Sequence, residues 1–186
     1  MLTSRRAIRL AIPLLGLLIA AQWAGPPVAA GQETEKPPQE VTTEPFDSRT
    51  TGAVQVKGET RDWFEVQQDG KRAFRGAPPL LNNIVEVSPG EYEIEVNKTT
   101  RKVKVVAGQK VVVQTGTLVV QGTKANFYAP FQDKERKVTN NPRKLNTPMA
   151  LLPGTYRVEL NVEVNKQVVL ADGVKIAAGK KTTLKE

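Results

Sequence analysis

Beyond residue 51, apolar and polar side chains alternate with a period of two. Val54 and Val56 alternate with polar neighbours, Tyr92, Ile94 and Val96 with Glu91, Glu93 and Glu95, and Val103 and Val105 with Lys102 and Lys104. An extended chain turns successive side chains to opposite faces, so each run reads as a half-buried strand rather than a helix. Asp69-Gly70, Ser88-Pro89-Gly90 and Ala107-Gly108 punctuate the runs with turn-forming residues. The pattern predicts strands near 53–57, 62–67, 71–75, 83–87, 91–97, 101–106 and 110–115. Six or seven short strands between regular turns predict an all-β fold, a small antiparallel β-sandwich. No stretch past the amino-terminal segment has the periodicity of a long amphipathic helix.

The pattern occurs twice. Adding 64 to any position from 52 to 97 gives its counterpart from 116 to 161, without a gap, and 14 of the 46 pairs are identical. Gly52, Val56 and Gly58 align with Gly116, Val120 and Gly122; Leu81 and Asn82 with Leu145 and Asn146; Pro89, Gly90 and Tyr92 with Pro153, Gly154 and Tyr156. After Asn97 the second copy gains seven residues, and the register returns with Ala107-Gly108 against Ala178-Gly179. Two tandem sandwich repeats are therefore expected, at 52–115 and 116–186. Each is near the lower size limit for an independent core, so a shared interface is expected. The short join Thr115-Gly116-Thr117 should restrict their orientation.

Residues 1–30 read as a signal peptide. Arg5, Arg6 and Arg9 precede an apolar stretch at 10–21, and Val28-Ala29-Ala30 places small residues before a cut ahead of Gly31. The apolar stretch is shorter than the ~20 residues that span a bilayer, so no membrane span is expected after cleavage. Ser4-Arg5-Arg6 leaves the Sec and twin-arginine routes both open. The signal points to a periplasmic, extracellular or cell-surface protein. Residues 31–51 carry five acidic and two basic side chains, with Pro37-Pro38, and are expected to form a disordered acidic linker.

Composition removes several chemistries. The 186 residues include no Cys and no His, which excludes disulfides, thiol nucleophiles, imidazole bases and their metal sites. The net charge of +8 comes from dispersed Lys and Arg, with no recognition helix. The expectation is solubility or weak attraction to anionic polymers, and no nucleic-acid partner.

Val66, Asp69, Gly70 and Lys71, then Arg75-Gly76-Ala77-Pro78, Pro89-Gly90-Glu91-Tyr92 and Ala107-Gly108-Gln109-Lys110 resemble the pattern of PEGA-type repeats. These are small β-sandwich modules of bacterial and archaeal envelope proteins. The second copy repeats the closing element at Ala178-Gly179-Lys180-Lys181 and carries Asp133-Lys134 where the pattern has Asp-Gly. The Pro-Gly-x-Tyr element is shared with carboxypeptidase-regulatory and transthyretin-like sandwiches. The resemblance implies a sandwich fold and an envelope setting, and it transfers no catalytic residue.

Candidate chemistry is sparse. Glu91, Glu93 and Glu95 share one strand face, as a hard-cation site or as the solvent face of a strand. A hairpin over residues 98–101 would set Lys104 across from Glu95, and Arg157 replaces Glu93 in the second copy. Tyr92 and Tyr156 are expected in the core, each hydroxyl reaching a backbone partner. In the pairs Trp63-Phe64 and Phe127-Tyr128, one ring should leave the core. Phe64 and Val66 read as inward, which turns Trp63 outward, while Phe131 leaves the second copy ambiguous. The outward ring could stack on a sugar or on the neighbouring module. The extra residues of copy two predict a longer hairpin near 162–170, turning at Asn165-Lys166, which either projects or covers the end of its own sandwich. No nucleophile elbow, phosphate loop or Ser-x-x-Lys arrangement is present.

The expectation is an exported, non-enzymatic protein without a cofactor or metal, acting as a cell-envelope structural or protein-interaction module. The alternative is a carbohydrate or cell-wall polymer binder. The candidate binding residues are Trp63, Phe127, Val164, Asn165 and Lys166, and the partner is an envelope protein or a cell-wall polymer. An enzyme would need a carboxylate-only site in a deep cleft between the copies.

Overall fold

The computed structural model describes residues 40–132, 142–163 and 166–186. The signal-peptide expectation for 1–30, the first part of the linker and the Asp133-Lys134 turn lie outside them. Every assigned element among these residues is a strand. After β1 (Val41–Pro45), the first module contains β2 (Gly52–Lys57), β3 (Phe64–Gln68), β4 (Lys71–Arg72), β5 (Ile84–Val87), β6 (Gly90–Val96), β7 (Thr99–Val105) and β8 (Gln109–Gln114). The second contains β9 (Gly116–Gln121), β10 (Phe127–Phe131), β11 (Arg143–Lys144), β12 (Met149–Leu151), β13 (Gly154–Glu163), β14 (Lys166–Ile176) and β15 (Lys181–Lys185).

The two modules have one topology. The first pairs its strands in the orders β8-β2-β5 and β4-β3-β6-β7; the second repeats this as β15-β9-β12 and β11-β10-β13-β14. Their alternating apolar residues meet between the sheets. Val54, Phe64, Val66, Val87, Tyr92, Ile94 and Val113 fill the first core, and Leu118, Tyr128, Leu151, Tyr156 and Val158 the second. Burying such side chains contributes roughly 1.5–3 kcal/mol each.

Shared local devices account for the identities that the alternation alone does not require. Asn82 and Asn146 both hold a left-handed backbone, at φ +73° and +63°. The Asn82 amide donates to Gly58 O at 2.9 Å and accepts from Gly58 N at 3.2 Å, and Asn146 makes the same two bonds to Gly122 at the same lengths. Each side chain thus supplies the donor and acceptor that a neighbouring strand would supply. Gly52 and Gly116 open equivalent strands so tightly that a Cβ would run into Val106 O and Ala177 O respectively. Tyr92 donates to Ser88 O at 2.7 Å and Tyr156 to Leu152 O at 2.5 Å. Both rings are buried, so the core reading of these tyrosines holds.

Several expectations need correction. The sandwiches are not wholly antiparallel: β2 runs parallel to β8 and β9 to β15. Seven strands that reverse at each connection leave the last running with the first, and the sheet makes those two neighbours. The linker expectation fails for its second half. β1 is a strand that pairs with β8 through Val41 opposite Val113 and Pro45 opposite Gln109. Glu44 binds Lys110 at 2.8 Å and Lys57 at 3.4 Å, so a segment with little to bury is held by a backbone ladder and ion pairs.

The β6–β7 turn is also tighter than the proposed 98–101 hairpin. Asn97 and Lys98 both take positive φ, at +45° and +66°, as a two-residue turn requires. Lys104 therefore faces Glu91, Lys102 faces Glu93, and Thr100 stands opposite Glu95.

The longer hairpin is present. The 7-residue strands β6 and β7 correspond to a 10-residue β13 and an 11-residue β14. Both strand pairs are joined by two residues, so all seven additional residues enter the strands. Val162 and Leu170 pack on the second core, whereas Val168 and Val169 stay exposed. The hairpin therefore covers its own module through Val162 and Leu170 and leaves Val168 and Val169 exposed.

Candidate functional site

The modules meet through an edge strand whose outward backbone groups are satisfied by side chains. Among the described residues β12 has β9 on one side and no strand on the other. The Asp62 carboxylate accepts from Ala150 N at 2.8 Å, Asn97 donates to Ala150 O at 2.9 Å, Thr99 accepts from Leu152 N at 3.3 Å, and Arg101 donates to Pro153 O at 3.3 Å. Four side chains of the first module thus stand in for a missing strand. Between these bonds, Ala150 and Leu152 turn away from their own core and join the core of the first module. The expected shared interface is therefore built mainly from one strand.

Asp62 organises the seam. It is 8% exposed, forms an ion pair with Arg143 and accepts from Thr60 Oγ1 at 2.7 Å. Its oxygens serve structural donors on both modules, which leaves it poorly placed to act as a general base. Beside it runs a groove of about 440 Å³ lined by Arg61, Asp62, Trp63, Glu95, Lys98 and Arg143, among others. Trp63 forms an apolar wall of this groove and is 64% exposed. Lys98 and Glu95, both in its lining, pair at 2.9 Å. An exposed indole beside polar groups of both signs can stack on a sugar face while hydrogen-bonding its hydroxyls.

The other candidates are placed separately. Phe64 and Val66 point inward and Trp63 outward, as the alternation requires. In the second module Tyr128 is the inward ring, with its hydroxyl 2.7 Å from Thr147 O. Phe127 is half-buried on the outer face, paired with Lys144 and Asn161, and does not line the groove with Trp63. Lys166 is exposed at the start of β14, 3.7 Å from Glu163. Val164 and Asn165 lie outside the described residues.

A second depression, about 510 Å³, covers the outer face of β6 and β7 around Glu91, Glu93, Lys102 and Lys104. Cross-strand pairing makes this a mixed-charge ladder. Glu159, the counterpart of Glu95, is buried beside Arg157 at 2.9 Å. Among the described residues no group of three or more acidic side chains could hold a metal ion.

Sequence reasoning missed Asp62, Thr99 and Arg101, whose role depends on the other module. Asn82 and Asn146 were visible as an identical pair, and their recurrence beside Gly58 and Gly122 was the available signal. No known protein family matches the chain, and no curated protein matches it. Among solved structures, the Bacillus anthracis TIE protein aligns at a TM-score of 0.29 with 13% identity, over 75% of this chain and 33% of that one. A likeness that loose carries no inference about fold or function.

Proposed function

We propose that the chain is an exported, non-enzymatic cell-envelope protein that acts as a structural or protein-interaction module. The observation that carries this reading is the seam: Asp62, Asn97, Thr99 and Arg101 lock one sandwich to the next, which suits a rigid spacer that holds binding edges at a fixed separation. The leader pattern at 1–30 and the Pro-Gly-x-Tyr elements shared with PEGA-type modules support the envelope setting. The test is fractionation of the source cells followed by intact-mass measurement and cross-linking. The expected result is a mature chain starting near Gly31 in the envelope fraction, cross-linked to an envelope component. A full-length chain retained in the cytosol would contradict the proposal.

A second reading, binding of a carbohydrate or cell-wall polymer, is favoured by the exposure of Trp63 within the junction groove. Trp63 is the only tryptophan beyond the leader, since the other is Trp23, so its fluorescence reports directly on the groove. Soluble peptidoglycan fragments should change that emission in a saturable way. An unchanged spectrum would exclude stacking on Trp63.

A further inference from the structure

In the first module the outer edge of β8 is occupied by β1. Its counterpart in the second module, β15, pairs with β9 on one side and with no strand on the other among the described residues. The same edge is therefore seen filled once and open once within one chain. After the seven-residue gain, the two copies correspond at an offset of 71, so Lys110 corresponds to Lys181 and Gln114 to Lys185. Lys110 faces Glu44 in the β1 register and pairs with it at 2.8 Å, and Gln114 N donates to Glu40 O at 2.8 Å. Carried onto β15, that register sets Glu44 against Lys181 and Glu40 against Lys185.

We infer that β15 is an acceptor edge for an extended, acidic strand of a partner protein, which adds to the second module as β1 adds to the first. The pairing takes carboxylates four residues apart, with β-branched residues between them, as in Glu40-Val41-Thr42-Thr43-Glu44. Main-chain bonds supply affinity and the two lysines supply selection. Lys181 and Lys185 are both exposed and have no ion-pair partner among the described residues. They also set the choice of partner. Two β15 edges brought together would oppose like charges, which disfavours self-pairing. The β1 of another copy is held at home by Lys110 and Lys57. This inference deepens the interaction reading by naming the partner's chemistry. Its test uses purified protein and needs no export, so the two can fail separately.

The probe is a synthetic peptide of residues 38–47 added to the isotope-labelled mature chain. Amide shifts are expected at 181–185, with 109–114 unmoved. Lys181→Glu with Lys185→Glu should weaken binding about tenfold or more, and a peptide with Glu40→Lys and Glu44→Lys should restore it. The intact β1 ladder in the double variant checks its fold. No shift in β15 at about 1 mM peptide, or shifts at β8 with release of β1, would overturn the inference. Sedimentation gives a further check. A monomer is expected, and a dimer abolished by the double lysine change would make a second copy the occupant and overturn the assignment to a foreign partner.

Discussion

Tyr92, Tyr128 and Tyr156 are the chain's three tyrosines, and all are buried. Burial raises all three hydroxyls above the usual tyrosine range, Tyr156 to about 12. The fold thus favours the neutral phenol. The stabilisation is complete below the unfolded value near 10 and is lost as pH rises through the folded values. Absorbance at 295 nm should show no phenolate until above pH 10, and phenolate should then appear together with loss of β-sheet signal. Titration near 10 in the folded protein would contradict the burial. Asn146→Ala should destabilise the chain by about 2 kcal/mol in denaturant unfolding, through two lost bonds to Gly122 and a left-handed backbone that alanine disfavours. The tyrosines were legible because their neighbours share their phase. Asp62 was not, because its partners Ala150 and Arg143 come from the other copy and no local pattern marks such a contact.

At the scale of elements, the strands of both copies follow from alternation and turns, within the limits that hydrogen bonding sets on their ends. β1 was missed because its hold does not come from buried apolar area. Its Val41-Thr42-Thr43 run has β-forming residues, but the acidic and proline-rich surroundings pointed to a spacer. Lys110 in particular, with Lys57, lowers the Glu44 carboxyl below its ordinary value of 4.5. The hold is therefore present above that range and is lost as pH falls through the lowered value. Hydrogen exchange near pH 3 should show Gln114 and Phe46, which bond to Glu40 O and Gly108 O, losing protection before the β6 amides do. Equal protection in both would show that β1 is held without its ion pairs. The hairpin illustrates a different limit. The alternation announced its length, while its split between covering and projecting depends on which of Val162, Val168 and Val169 finds a neighbour.

The whole molecule is a doubled fold whose junction is used once. Ala150 and Leu152, which enter the first core, correspond to Glu86 and Ser88 in the first module. The same docking by β5 would bury a carboxylate, and Glu86 instead accepts from Thr51 Oγ1. The apolar pair that docks at the seam is therefore present in β12 and the residue after it, and is not repeated at β5. Asp62→Ala should cost about 3 kcal/mol by leaving Arg143 and Ala150 N unpaired, and it should split one unfolding transition into two. The measurement that tests this account most directly is native-state hydrogen exchange at Ala150 and Leu152, with Glu86 and Ser88 as internal controls. Side chains from the first module shield the former pair, so their amides should exchange far more slowly than those of the latter. Equal rates at all four would mean that the strand is open to water and the two sandwiches are not locked together.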